Sequence, residues 1–256
     1  MARSARLPRM PPDPDGERRQ RLQKVQRQRR RGGLRRTLLI VLLCLAVVPP
    51  LAVSRLTPPE SAFMLARRVE NLRAGRGWVA LAQTSVPLSA IARTLQLAVI
   101  AGEDQRFPAH HGFDFVEVAQ ALEEASGDAP RGASTLSQQT VKNLFLWSQR
   151  HWIRKGIEAW YTVLLELVCS KQRILSLYLN FAEFGPDVYG AEAASWYFFD
   201  KPAARLSAEE AALLAAALPN PREFSVRKPG PQLRARQHWI LRQMRQLGGV
   251  AYLARL

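Results

Sequence analysis

Cysteine is nearly missing from this chain: two in 256 residues, Cys44 and Cys169. One falls in an apolar run and the other in a helical stretch, so no disulfide framework is expected. Four histidines and two scattered cysteines also give no zinc-ligand spacing. Strand-like alternation is almost absent, and no internal repeat is visible. Acidic residues are the minority, 21 against 37 Lys+Arg, for a net charge of +16.

That excess is unevenly placed. Residues 1–36 hold 13 Arg+Lys and 3 Asp+Glu, so +10 lies there and +6 in the remainder. Such a basic head could meet nucleic acid. It stops at Arg36, however, where an uncharged run of 17 residues begins, covering 37–53. A basic flank before an apolar span is a topology signal that holds the flank in the cytoplasm, so nucleic acid is not an expected partner. The run is at the short end for a bilayer-spanning helix, and Pro49-Pro50 should bend or end it. The long basic head and the poor cleavage site at Val53-Ser54-Arg55 argue against a removed signal peptide. The expected organisation is a basic disordered tail (1–36), a transmembrane anchor (37–53), a juxtamembrane connector (54–88) and one mostly helical domain (89–256). Apolar patches in the connector, at Phe63-Met64-Leu65 and Trp78-Val79-Ala80-Leu81, read either as ordinary packing or as a surface dipping into the bilayer.

Helical spacing of Ile91, Leu95, Val99 and Ile100 leads into Glu103. Asp114 with Glu117 resembles a capping pair ahead of a helix over 115–125. Ser207 with Glu210 is a capping box for a helix over 211–218 that Pro219 ends. A broad apolar face is expected from Ile157, Trp160, Tyr161, Leu164, Leu165 and Val168, and a further helix from Ile174, Leu175, Tyr178 and Leu179.

Four polar clusters follow one another: Glu103-Asp104-Gln105-Arg106-Phe107-Pro108-Ala109-His110-His111-Gly112, then Arg131 to Gln139, then Arg154-Lys155-Gly156-Ile157-Glu158, then Lys171 to Asn180. Glu103 reads either as an exposed helix-end charge or as a partly desolvated general base. Asp104 beside it would be a cap or a hydrogen-bond partner. Ser134, Thr135, Gln138 and Gln139 can hold sugar hydroxyls or phosphate oxygens, or simply cap the helix that follows. Lys142, Arg150, Arg154 and Lys155 form a cation cluster fit for a diphosphate. Arg154 and Glu158, four apart, could equally be a surface ion pair.

In this order the clusters resemble the peptidoglycan glycosyltransferase family across about residues 57–245. Ala182-Glu183-Phe184-Gly185-Pro186 resembles its monofunctional biosynthetic transglycosylases from Gram-negative bacteria. Gly190-Ala191-Glu192, Leu218-Pro219-Asn220-Pro221 and Arg236-Gln237-His238-Trp239 also match. Two positions depart: Ser176 stands where the family has Glu, and Asp200 where it has Gly. The resemblance implies a lysozyme-like helical lobe behind a single transmembrane helix. It implies transfer of a lipid-linked glycan strand to the GlcNAc 4-hydroxyl of lipid II, with no transpeptidase domain. Glu103 would be the base. Glu158 would steady the leaving diphosphate with the cations, and Asp104, Ser134, Thr135, Gln138 and Gln139 would contact substrate. No cofactor is required and no metal-ligand set is assigned, although Mg or Mn is a candidate ion at the diphosphate. The catalytic domain would be periplasmic on the inner membrane, with cell-division or elongation proteins as candidate partners. The rivals are a glycan-cleaving hydrolase, which needs two carboxylates and no phosphate clamp, and an inactive membrane-anchored scaffold.

Overall fold

The uncharged run forms helix α1, Arg36–Arg55, in a computed structural model that describes residues 36–117, 119, 134–149 and 151–256. It is longer at both ends than the expected 37–53. Pro49-Pro50 do not end it; the helix runs through both to Arg55, although each removes a backbone donor. Among the described residues α1 is the one helix long and apolar enough to cross a membrane. The chain divides into two compact units, Met1–Val48 and Pro49–Leu256. The described part of the first is residues 36–48, a helix whose leucines are exposed. The expected tail lies outside the described residues apart from Arg36.

In the second unit side-chain caps start several of the helices. Ser61 accepts from the Met64 N–H at 3.2 Å and starts α2, Ala62–Arg73. Helix α3, Arg93–Glu103, buries residues 95–101 without a break, which makes it the central rod. Thr135 and Gln138 form a capping box at the head of α4, Leu136–Phe145. Helix α5 spans Trp152–Val168, and Ser170 caps α6, Lys171–Phe181. Helix α7, Ala191–Phe199, closes on Asp200, whose φ of 55° is left-handed. Asp tolerates that region, so a left-handed turn closes α7 without glycine, the Asp200 N–H donating to Trp196 O. The Ser207–Glu210 box starts α8, Ala208–Ala217, buried throughout residues 211–217. Helix α9, Pro231–Gln246, begins with proline at a position where no donor is needed.

Helix α3 packs against α8 and α9, while α4 packs against α5, α6 and α2. These two helix groups meet at the C-terminal end of α3. A small sheet was not anticipated. Strands β1 (Ala82–Gln83), β2 (Glu183–Gly185) and β3 (Val188–Tyr189) lie in the order β1-β3-β2. Ala82 opposes Val188 in parallel, and Glu183 opposes Tyr189 in antiparallel fashion. Strands of two or three residues are too short for period-two alternation to be read. At Gly190, φ 83°, a Cβ would sit 2.7 Å from Asn180 O, so only glycine fits where α7 begins.

Candidate active site

Glu103 is the last residue of α3, at the mouth of a cavity of about 620 Å³. Its carboxylate is held on both oxygens. Oε2 accepts from Gln139 Nε2 on α4 at 3.0 Å, and Oε1 from Arg236 Nη2 on α9 at 3.2 Å. Gln139 is itself oriented, because its Oε1 accepts from the Tyr178 hydroxyl at 3.2 Å. Burial pushes that hydroxyl well above its ordinary pKa, so Tyr178 stays a donor. Burial also raises the Glu103 pKa; the Gln139 hydrogen bond and the Arg236 charge oppose it without cancelling it. The sequence left open whether this group was an exposed helix end. Its side chain is 11% exposed, oriented, and raised toward the range of a general base.

Asp104 and the hydroxyl and amide loop are largely turned inward. Asp104 is 2% exposed. It takes His110 Nε2 at 2.9 Å and the Leu136 N–H at 2.9 Å, joining the first polar cluster to the start of α4. The Thr135 hydroxyl donates to Gly112 O at 2.7 Å and accepts from the Gln138 N–H, while Gln138 Oε1 accepts from the Thr135 N–H. Both are buried, so their side chains serve the cap. Ser134 is exposed, and its carbonyl receives Gln139 Nε2 at 3.3 Å. Residues 131–133 and Arg150 lie outside the described residues, as does most of the expected 115–125 helix. That helix is described at 115–117, where Asp114 Oδ1 accepts from the Val116 and Glu117 N–H groups.

Helix α5 buries polar groups among its apolar ones. Its buried side carries Arg154, Glu158 and Thr162 beside Leu165. Of the expected apolar face, Leu165 is fully buried and Ile157, Tyr161 and Val168 pack half-buried against the core, while Trp160 is exposed. Trp152 and Leu167 face outward at 80% and 75% exposure, with Ile153 and Val163 also exposed. Glu158 is 3% exposed and takes Arg154 Nη1 at 2.6 Å and Lys155 Nζ at 2.5 Å. Arg154 and Glu158 form a buried ion pair, not a surface one, and the exposed Lys155 caps it from the solvent side. Arg154 is fixed by Gln149 O at 3.0 Å. The Lys142 ammonium, one turn beyond Gln139, lies 5.8 Å from the Phe63 ring centroid and makes neither an ion pair nor a hydrogen bond among the described residues. Burial lowers its pKa, opposed by Glu158 and Glu103 and reinforced by Arg154 and Lys155. One ammonium thus lies within electrostatic reach of both carboxylates.

Asp104, His110 and Asp114 bring one potential metal-ligating atom each within 4.8 Å of one another. The fit to a cation is poor. Asp104 is already occupied by His110 and Leu136 N–H. That leaves His110 Nδ1 and Asp114 Oδ2, with Arg106 Nε 3.4 Å from the latter. Two free donors beside a guanidinium fall short of a zinc set. Lys171, expected in the fourth cluster, pairs with Glu166 at 2.8 Å and lies over the Phe107 ring. Ser176 is buried, and its carbonyl receives Asn180 Nδ2 at 2.8 Å.

The reading from sequence missed Arg236 and Trp239 as site residues. Arg236 touches Glu103 from 133 residues away. Local spacing carries no trace of such a contact; the match of Arg236-Gln237-His238-Trp239 to the family was the available signal.

Residues 73–245 match the family model described as Transglycosylase. The chain is 55% identical over 197 residues to the biosynthetic peptidoglycan transglycosylase of Chromohalobacter salexigens, covering 77% of this chain and 84% of that protein. It is 53% identical to the Citrobacter koseri protein of the same name over 229 residues, with 87% and 94% covered. The Xanthomonas campestris pv. campestris protein of that name is 48% identical over 229 residues, with 88% and 93% covered. A helical lobe, a largely buried carboxylate at a cavity and a family match across most of that lobe agree: the chain belongs to the transglycosylase family, enzymes that transfer glycosyl groups.

Proposed function

We propose that the chain polymerises peptidoglycan glycan strands. The acceptor is lipid II and the donor is the growing strand on its lipid diphosphate. The GlcNAc 4-hydroxyl oxygen attacks C1 of the donor MurNAc as the C1–oxygen bond to the diphosphate breaks. The hydroxyl proton passes to Glu103, and the bonding pair leaves with undecaprenyl diphosphate. Attack from the face opposite the leaving group inverts C1 and yields a β-1,4 bond.

One observation carries this reading: Lys142, a half-buried cation over the Phe63 ring and without an ion-pair partner among the described residues, feels the charges of both Glu103 and Glu158. A hydrolase acting on a sugar leaving group has no use for such a cation. A leaving diphosphate gains charge in the transition state, and preplaced cations lower that barrier. Arg154 and Lys155 put positive charge between Glu158 and the diphosphate, which removes the repulsion a bare carboxylate would cause. Arg150 is assigned to the same clamp. Ser134 and Gln139 face the substrate, while Asp104, Thr135 and Gln138 position the loop. Mg or Mn remains an accessory ion in this scheme and no step depends on it.

The proposal places residues 1–36 in the cytoplasm, 37–53 in the inner membrane, and the connector (54–88) and catalytic domain (89–256) in the periplasm. Exposed Leu65 and Trp78 in the connector and the outer face of α5 suit a substrate tethered in a bilayer. Incubation of the full-length protein with labelled lipid II tests the reading. Long glycan polymer is expected. Shortened strands from preformed glycan would mean a hydrolase, and no turnover an inactive scaffold.

A further inference from the structure

The cavity beside Glu103 has a second side. Glu103 Oε2 faces α4, the helix of Lys142, and Oε1 faces α9. The cavity is lined on the α9 side by Arg236 and Trp239, with Arg106, Glu117 and Pro219, and none of Lys142, Arg154 or Lys155 lines it. Its volume is within the roughly 300–1,000 Å³ of small-molecule sites. Trp239 is 36% exposed. The core side of α9 is made by Leu233, Gln237, Ile240 and Met244, so packing does not explain an indole at 239. It is three residues from Arg236, on the same face, with the Arg236 guanidinium 5.9 Å from the ring centroid.

We propose that Trp239 is the stacking platform for the amino-sugar ring that carries the attacking hydroxyl. The inference rests on the polymerase reading above. In-line displacement puts nucleophile and leaving group on opposite sides of C1. If the cations of α4 and α5 take the diphosphate, the acceptor ring approaches Glu103 from the α9 side. A pyranose has a face of C–H groups that packs on an aromatic ring, and a rim of hydroxyls and an acetamido group that hydrogen-bonds. Trp239 meets the face. Arg236, Arg106 and Glu117 meet the rim, and the 4-hydroxyl points at Glu103.

The test uses the full-length protein in detergent and a tetrasaccharide of alternating GlcNAc and MurNAc that lacks the diphosphate. Calorimetric titration of wild type, Trp239→Ala and Trp239→Phe should show the alanine variant binding about tenfold more weakly, ~1.4 kcal/mol, with phenylalanine restoring most of the affinity. With lipid II, Trp239→Ala should raise KM more than it lowers kcat and leave the acid limb of the pH profile in place. Equal tetrasaccharide binding by wild type and Trp239→Ala, or none by wild type, overturns the platform. A loss confined to kcat with a displaced acid limb also overturns it, by making Trp239 a support for Arg236. If wild type makes no polymer from lipid II, the polymerase reading fails, and the tetrasaccharide titration still reads the platform without turnover.

Discussion

Arg236→Gln separates the charge that tunes Glu103 from the burial that perturbs it. The guanidinium lies 3.2 Å from Glu103 Oε1 and works against the burial that raises the carboxyl. Removing it leaves burial less opposed, so the pKa should rise further. A hydrogen bond to a charged group contributes about 1.5–3 kcal/mol. Arg236 is one-third exposed, which screens it and favours the low end. A difference of about 1.4 kcal/mol is tenfold in the ionised fraction. A general base works only when ionised. The acid limb of kcat/KM on lipid II should therefore move to higher pH, with a loss of about tenfold below both midpoints. Part of the loss should disappear well above them. Arg236→Lys, which keeps a charge, should move the limb less. Initial polymerisation rates from acidic to mildly alkaline pH measure this. An unmoved acid limb, with the same fractional loss at every pH, would refute the argument that Arg236 tunes the base.

Glu103→Gln should remove nearly all polymerisation, on the order of 10²–10⁴-fold. Because the folded carboxyl binds its proton more tightly than the unfolded one, wild-type stability should fall as pH rises from the ordinary glutamate midpoint through the raised one. Thermal melts of Glu103→Gln should lack that fall. Lys142 has a lowered pKa, so the alkaline limb should lie below the ordinary lysine range, and Lys142→Arg should push it up; rates at alkaline pH decide. Glu158→Gln leaves Arg154 and Lys155 without their anion, and should cost about 3 kcal/mol in denaturant unfolding as well as lowering kcat more than it raises KM. Because both Glu158 oxygens already receive a cation, a chelator should leave wild-type polymerisation largely intact. A reporter active only outside the cytoplasm should signal when fused after Leu256 and stay silent at the N-terminus.

What the sequence disclosed was local. The spacing of Ile91, Leu95, Val99 and Ile100 placed α3, and the Ser207–Glu210 box placed α8, because backbone periodicity and capping act over a few residues. The order of the polar clusters marked Glu103, Gln139, Lys142 and Glu158. Hidden were features decided by tertiary contact. Asp104, Thr135 and Gln138 look like ligand groups in a polar string; each is buried and hydrogen-bonded within the first cluster and the α4 cap, and Asp104 also lines the cavity. Helix α5 was read in part: Leu165 is buried with Ile157, Tyr161 and Val168 packed beside it, while Trp160 is exposed and Arg154, Glu158 and Thr162 take the rest of the inner side. Arg236 was invisible as a Glu103 partner since nothing within a few residues of either announces the other.

The Glu103–Arg236 contact also sets a timetable. The two residues are 133 positions apart, and the Tyr252 hydroxyl reaches back to Gln105 O across 147. A chain emerging N-terminus first at about 5–20 residues per second exposes the carboxylate some 7 to 27 seconds before its guanidinium partner exists. For most of that interval α3 also lacks the α8 surface it packs against, and α9 is complete only after the interval closes. In the proposed enzyme, then, the base is the last part to be finished. A half-made copy already in contact with substrate-bearing membrane stays silent, and so does any copy cut short before α9.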